Sequence, residues 1–232
     1  MTPLFTAERI TKSFHRQPVL NEVSFSLSEG EVVILIGRNG CGKTTLLRIL
    51  AGVMRPEGGS ANLRGQDLFT TDSRWRHDMV YLGHRPNLYP AFSARENLRL
   101  SVQLRGQAWD EQTFQSLLAR YELTGRENDP IRAYSEGMLQ RLGLIRLELA
   151  TWKLALMDEP SSALDVDGEE LLKSTIAGWR SQGRTVLFTS HDLTWGADCA
   201  DRAVLLENGT ITKQLERPDG SELINLLGSG RE

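Results

Sequence analysis

One octapeptide constrains the fold more than any other part of the chain. Gly37-Arg38-Asn39-Gly40-Cys41-Gly42-Lys43-Thr44 reads G-x-x-x-x-G-K-T, with Thr45 directly behind it. This phosphate-binding pattern requires a strand in front and a helix behind. Both flanks comply. Val32-Val33-Ile34-Leu35-Ile36 is a continuous apolar run, as expected of a strand buried on both faces. Leu46, Leu47, Ile49 and Leu50 then carry helix-forming apolar residues on into Ala51.

The chemistry follows from that geometry. Glycines let the backbone curl until several N–H groups point at one anion. A helix starting near Lys43 adds the positive end of its dipole. Gly37, Arg38, Asn39, Gly40, Cys41, Gly42, Lys43, Thr44 and Thr45 are therefore the candidate phosphate-contacting residues. Lys43 reaches the β- and γ-phosphates as a point charge, and the Thr44 hydroxyl is a hard oxygen suited to Mg²⁺. Cys41 occupies a variable position and reads as a small filler, not a nucleophile.

Composition narrows the class. Lys and Arg number 27 against 30 Asp and Glu among 232 residues, a formal charge of −3, so the chain lacks the basic footprint of nucleic-acid binding and no nucleic-acid partner is expected. The length suits one domain with a smaller subdomain. Two cysteines, Cys41 and Cys199, have no metal-ligand spacing and make no disulfide framework, which fits a reducing cytosol. No apolar stretch approaches the length needed to span a bilayer, and Met1 to Phe5 lacks a signal-peptide pattern.

The elements order themselves around the loop. Leu4–Ile10 is a short strand, Thr11–Pro18 is polar and turn-like, and Val23–Leu27 alternates with period 2 as a half-exposed strand. These early strands are expected to form a small antiparallel sheet. Met79–Leu82 is a further strand. Helical patterns then take over at Ser93–Leu104, Asp110–Tyr121 and Ser135–Ala150, with Ser93 and Glu96 as a capping box. The α/β pattern returns with strands at Leu154–Met157 and Thr185–Thr189 around a helix at Glu169–Trp179. Asn208-Gly209 is a hairpin turn, and Ser221–Leu227 a short terminal helix. The expectation is a single α/β domain. Its phosphate-loop NTPase core comprises residues 1–86 and 151–232 with the antiparallel subdomain, and an α-helical subdomain is inserted at 87–150.

A second site complements the loop. The Leu154–Met157 strand ends in Asp158-Glu159, and ligands of open α/β sheets sit at the carboxyl ends of strands. Asp158 is placed to hold Mg²⁺ through water, and Glu159, one step further out, to polarise an attacking water.

Tyr134-Ser135-Glu136-Gly137-Met138, followed by Gln140-Arg141, resembles the L-S-G-G-Q signature of ATP-binding-cassette ATPases, with Ser135 and Gly137 matching. The glycine loop before it, and Leu154–Glu159, Ser162-Ala163-Leu164-Asp165 and Ser190-His191-Asp192 after it, extend the resemblance to nearly the whole chain. The resemblance implies an ATPase that uses ATP and Mg²⁺, with Glu159, His191 and Lys43 as its catalytic residues. Ser162–Asp165 becomes the D-loop, His191 the switch histidine that donates to the γ-phosphate, and Phe14 the aromatic that stacks on adenine. From the residues alone, core packing is an equal reading of Phe14. The resemblance also implies two copies closing head to tail over two ATP molecules. The serine and backbone N–H groups at the Ser135 helix start then face the γ-phosphate of the opposite copy. Integral membrane transporter subunits are the further partners, docking near His84–Leu104 on the cytoplasmic face of the membrane.

His84 departs from the family, which has a glutamine there that reaches Mg²⁺. Imidazole is a poor direct ligand for Mg²⁺, so His84 is expected either to reach the metal through a water or to couple the core to the helical insert. Tyr81-Leu82-Gly83-His84, Leu88-Tyr89-Pro90 and Ser93–Leu98 are similar to the ATPase subunits of cytochrome c maturation haem exporters. An exporter of drugs, lipids or polysaccharides is the close rival. A non-transport cassette acting on ribosomes or DNA lacks the paired cassettes, coiled coil or basic patch it would carry. A small-molecule kinase leaves Ser135–Met138 and His191 without a role.

Overall fold

The structure, a computed structural model, describes residues 3–71 and 73–228. In chain order its first elements are β1 (Phe5–Phe14), β2 (Gln17–Leu27), β3 (Val32–Ile36), α1 (Lys43–Leu50), β4 (Gly58–Leu63), β5 (Gln66–Asp67) and β6 (Met79–Leu82). Three helices follow, α2 (Ala94–Leu104), α3 (Glu111–Arg120) and α4 (Glu136–Glu148). The chain ends with β7 (Leu154–Met157), α5 (Val166–Ser181), β8 (Thr185–Phe188), α6 (Leu193–Cys199), β9 (Arg202–Glu207), β10 (Thr210–Glu216) and α7 (Gly220–Gly228).

Two sheets organise these elements. A six-stranded sheet runs β10-β9-β3-β8-β7-β6, with β9, β3, β8, β7 and β6 parallel and β10 closing it as an antiparallel hairpin strand. A four-stranded antiparallel sheet runs β2-β1-β4-β5. The pleat of β3 divides its side chains between two cores. Val32, Ile34 and Ile36 join α4, α5 and α6 on one face, whereas Val33 and Leu35 join α1 and the antiparallel sheet on the other. This double coverage explains the unbroken apolar run. The helices α2, α3 and α4 form an inserted block between β6 and β7, and Ser93 and Glu96 cap α2 reciprocally.

Several boundaries differ from the sequence reading. Thr11–Pro18 is a strand continuation through a tight hairpin, not an extended turn: Phe14 pairs with Gln17, and His15 and Arg16 take φ of 50° and 66°. Left-handed backbone at both turn residues suits the twist of a two-residue hairpin, and the Asn or Gly that normally marks it is missing. α5 begins at Val166 because Asp165 caps it, accepting from the Gly168 N–H at 3.0 Å. The short α6, which no periodicity marks, is capped by Asp192 and uses Gly196 to approach Ile34, where a Cβ would lie 2.3 Å from Ile34 Cδ1. Among the described residues, no helix is long and apolar enough to cross a membrane.

Candidate functional site

The glycine loop sits at the carboxyl end of β3, and close contacts dictate its residue types. A Cβ at Gly37, φ +155°, would lie 2.3 Å from the Leu206 carbonyl oxygen of β9. At Gly42, φ +109°, a Cβ would lie 2.9 Å from Leu20 Cδ2 of the β1–β2 hairpin. No larger residue fits at Gly37 without moving backbone, and at Gly42 the positive φ itself disfavours one. Gly42 also precedes α1 without a side-chain cap, and no acid stands in the helix's first turn. The first N–H groups of α1 are thereby left to a ligand. Lys43, 8% exposed, folds across the loop and donates from Nζ to the Gly37 carbonyl at 2.7 Å and the Arg38 carbonyl at 3.3 Å. Cys41 Sγ packs under Gly37. Burial pushes its thiol above the ordinary range, against the pull of Lys43, so it stays neutral filler.

A cleft of about 460 Å³ opens over the loop, lined by Val19, Asn39, Gly40, Gly42, Lys43, Thr44, Thr45, Glu159 and His191. The chain thus brings the loop, the end of β7 and the end of β8 to one opening. Asp158 is 2% exposed, and its Oδ1 accepts from the Thr189 hydroxyl at 3.0 Å. The same hydroxyl accepts from the Glu159 N–H at 2.9 Å. Thr189 therefore orients both acids from the neighbouring strand. Sequence reasoning missed it, since a threonine at a strand end carries no distinguishing mark. Glu159 takes φ +55°, a left-handed conformation uncommon for a side-chain-bearing residue. Its Oε1 lies 2.6 Å from His191 Nε2 and its Oε2 lies 3.5 Å from His84 Nδ1. The carboxylate stands between two imidazoles.

The remaining candidates lie outside this cleft. Phe14 is 40% exposed on the β1–β2 hairpin, with Lys12 Nζ 5.5 Å from its ring centroid. The hairpin meets the loop through Val19 and Leu20, and Phe14 itself does not line the cleft. Ser135 caps α4 by accepting from the Met138 N–H at 3.2 Å. With Gly137 it lines a separate cleft of about 350 Å³. Among the described residues, no three His, Cys, Asp or Glu side chains converge on a metal position. Thr44 and Asp158 offer hard oxygens only. Such a sparse oxygen set suits Mg²⁺, which keeps water and takes substrate phosphate as its other ligands, and the nitrogen of His84 does not suit it.

A donor-lined cradle at a helix start, with the Glu159 carboxylate from the end of β7, two strands away in the same parallel sheet, facing it, defines a phosphate-loop nucleotide-binding module. Residues 20–162 match the family model described as ABC transporter, and the chain belongs to that family, as an ATP-binding and ATP-hydrolysing subunit. The chain is similar to the cytochrome c biogenesis ATP-binding export protein CcmA of Methylococcus capsulatus, 42% identical over 73% of this chain and 82% of that one. The lantibiotic transport ATP-binding protein SrtF of Streptococcus pyogenes is 32% identical over 95% of this chain and 93% of that one. The fold matches a dimeric ATP-binding cassette solved in a post-hydrolysis state with ADP and Pi, with a TM-score of 0.84 over 92% of this chain and 99% of that one at 23% identity.

Proposed function

We propose that two copies of this chain close over two Mg-ATP molecules and drive export through separate membrane subunits, with haem for cytochrome c maturation as the cargo. One observation carries the hydrolytic part: the Glu159 carboxylate faces the glycine-loop cleft with His191 Nε2 2.6 Å from its Oε1. In this reading the loop N–H groups and Lys43 hold the β- and γ-phosphates. Glu159 takes the proton of a water as its oxygen bonds to the γ-phosphorus, while the bond to the β–γ bridging oxygen breaks and ADP and phosphate leave. His191 steadies the γ-phosphate, and Phe14 stacks on adenine. Thr44 and, through water, Asp158 would hold Mg²⁺, which would supply charge neutralisation to the phosphates. His84, aimed at Glu159 and 62% exposed, belongs to the coupling between core and insert, not to the metal.

The dimer reading rests on the family and on the cassette solved as a dimer. The Ser135 helix start of each copy receives the γ-phosphate held by the other. Residues 1–86 and 151–232 then act as the ATP-binding core and 87–150 as the arm that carries Ser135. Membrane subunits dock at the cytoplasmic face, near His84–Leu104. A cavity of about 470 Å³ lies there between α1 and α2, with exposed Val53 and Leu104 on its rim. The haem assignment rests on the biogenesis relative at 42% identity. The lantibiotic relative, matched over 95% of this chain, supports an exporter of another cargo as the second reading.

Glu159→Gln tests the hydrolytic reading. It is expected to lower turnover about a hundredfold or more, and to accumulate as an Mg-ATP-bound dimer in size-exclusion chromatography. A variant that stays monomeric at high concentration, or hydrolyses at the parental rate, defeats it. Deleting the gene separates the cargoes: haem export predicts loss of holo-cytochromes c, which a different exporter leaves intact.

A further inference from the structure

The segment that joins Glu159 to α5 is held by one face of α4. Gly137, Gln140 and Arg141 share that face at helical spacings of three and four residues. Gln140 is 2% exposed, and its Nε2 donates to the Pro160 carbonyl at 2.7 Å. Arg141 Nη2 donates to Asp165 Oδ1 at 2.8 Å, and its Nη1 reaches Glu122 and, at 3.3 Å, the Tyr121 carbonyl. Gly137 approaches so closely that a Cβ there would lie 2.8 Å from the Ala163 carbonyl oxygen. Pro160, Ala163 and Asp165 thus all touch the helix whose start is capped by Ser135.

The grip on Pro160 matters most, because Pro160 is bonded to Glu159. The Pro160 carbonyl is buried, and without Gln140 it loses its side-chain donor. Glu159 itself takes a left-handed φ of +55°, so the direction of its carboxylate depends on how the backbone on either side of it is held. Thr189 fixes the N–H side of Glu159 from just past the end of β8, and Gln140 fixes the carbonyl of the residue after it from α4.

We propose that Gln140 is a positioning residue for Glu159, and that through it the Ser135 end of α4 is mechanically tied to the hydrolytic carboxylate of the same chain. A phosphate engaged at Ser135 then acts on the copy that supplies the serine as well as on the copy that supplies the ATP. The inference rests on the hydrolytic role given to Glu159 above.

Gln140→Met keeps the side-chain volume and removes the donor. In the full chain with Mg-ATP it is expected to lower kcat about tenfold, while the affinity for a fluorescent ATP analogue stays within about twofold, since Gln140 does not line the glycine-loop cleft. In a Glu159→Gln background the same change is expected to add no further loss to the single-turnover rate, because the group it positions is already gone. An unchanged kcat in Gln140→Met overturns the inference, as do additive losses in the double variant or an affinity that falls in step with kcat. A Glu159→Gln protein with full turnover overturns the hydrolytic reading and this inference with it. An inactive Glu159→Gln beside a fully active Gln140→Met overturns this inference alone.

Discussion

The function proposed above gives the chain two helix starts for phosphate, and they are built differently. α1 begins at Gly42, with no side-chain cap and no acid in its first turn. Its free N–H groups and the Lys43 ammonium make a positive cradle that is complete within one chain. α4 begins at Ser135, whose hydroxyl oxygen already accepts from its own helix at Met138, and Glu136 follows at once. Glu122 and Asp165 line the same cleft, with Arg141 shared between them. A helix start that satisfies one of its own donors and carries a carboxylate beside it is a weak anion site. It can contribute only when another site brings the phosphate to it. In the function proposed above, this contrast lets ATP bind each copy alone yet report to both.

The largest expected effect tests the complete cradle. Lys43→Ala removes a charge-assisted donor to two phosphates and should weaken Mg-ATP binding roughly a hundredfold, read by isothermal titration calorimetry. Ser135→Ala should leave that first affinity within about twofold and lower turnover about tenfold, with the loss confined to protein concentrations at which the dimer forms. Loss of the cap should also lower the melting temperature by about 2–4 °C. If both substitutions shift the monomer's affinity equally, the two helix starts are not the unequal pair described.

The same contrast governs what could be read from the residues. The α1 cradle is legible because every part is contiguous: strand, glycines, lysine and helix lie within residues 32–51, and their order is itself the geometry. The carboxylates were legible as a strand end. What holds them was not. Thr189 reaches Asp158 and Glu159 from a strand about thirty positions away, and Gln140 reaches Pro160 from the insert. Contacts between distant segments leave no spacing to recognise. The meeting of His84 and His191 on one carboxylate is of the same kind, since neither histidine's neighbours point to the other. The β1–β2 hairpin escaped for a local reason, a His15-Arg16 turn without the residues that usually mark one. Elements were read well where the hydrophobic pattern is strong, as in α2 with its capping box, and poorly for α6, which is seven residues long and owes its place to the core beneath it.

The smallest expected effect sharpens the comparison most, because it changes sign according to what Glu136 does. As the first residue of α4, Glu136 favours the helix through the macrodipole and opposes any phosphate that approaches Ser135. Glu136→Gln keeps the size and removes the charge. Helix-terminus charges are worth about 0.3–1 kcal/mol, so melting should fall by no more than about 4 °C. If the acid tempers phosphate capture, ATP-driven dimerisation in the Glu159→Gln background should tighten about two- to fivefold, read by analytical ultracentrifugation, and the gain should fade as salt screens it. If Glu136 instead serves the dimer by pairing with a cation on the opposite copy, dimerisation should weaken. Tightening makes α4 a site held deliberately below its full strength, so that closure needs ATP and reverses once the γ-phosphate has gone. Weakening makes the acid part of the interface, and the inequality of the two helix starts then reflects contact between copies, not tuning.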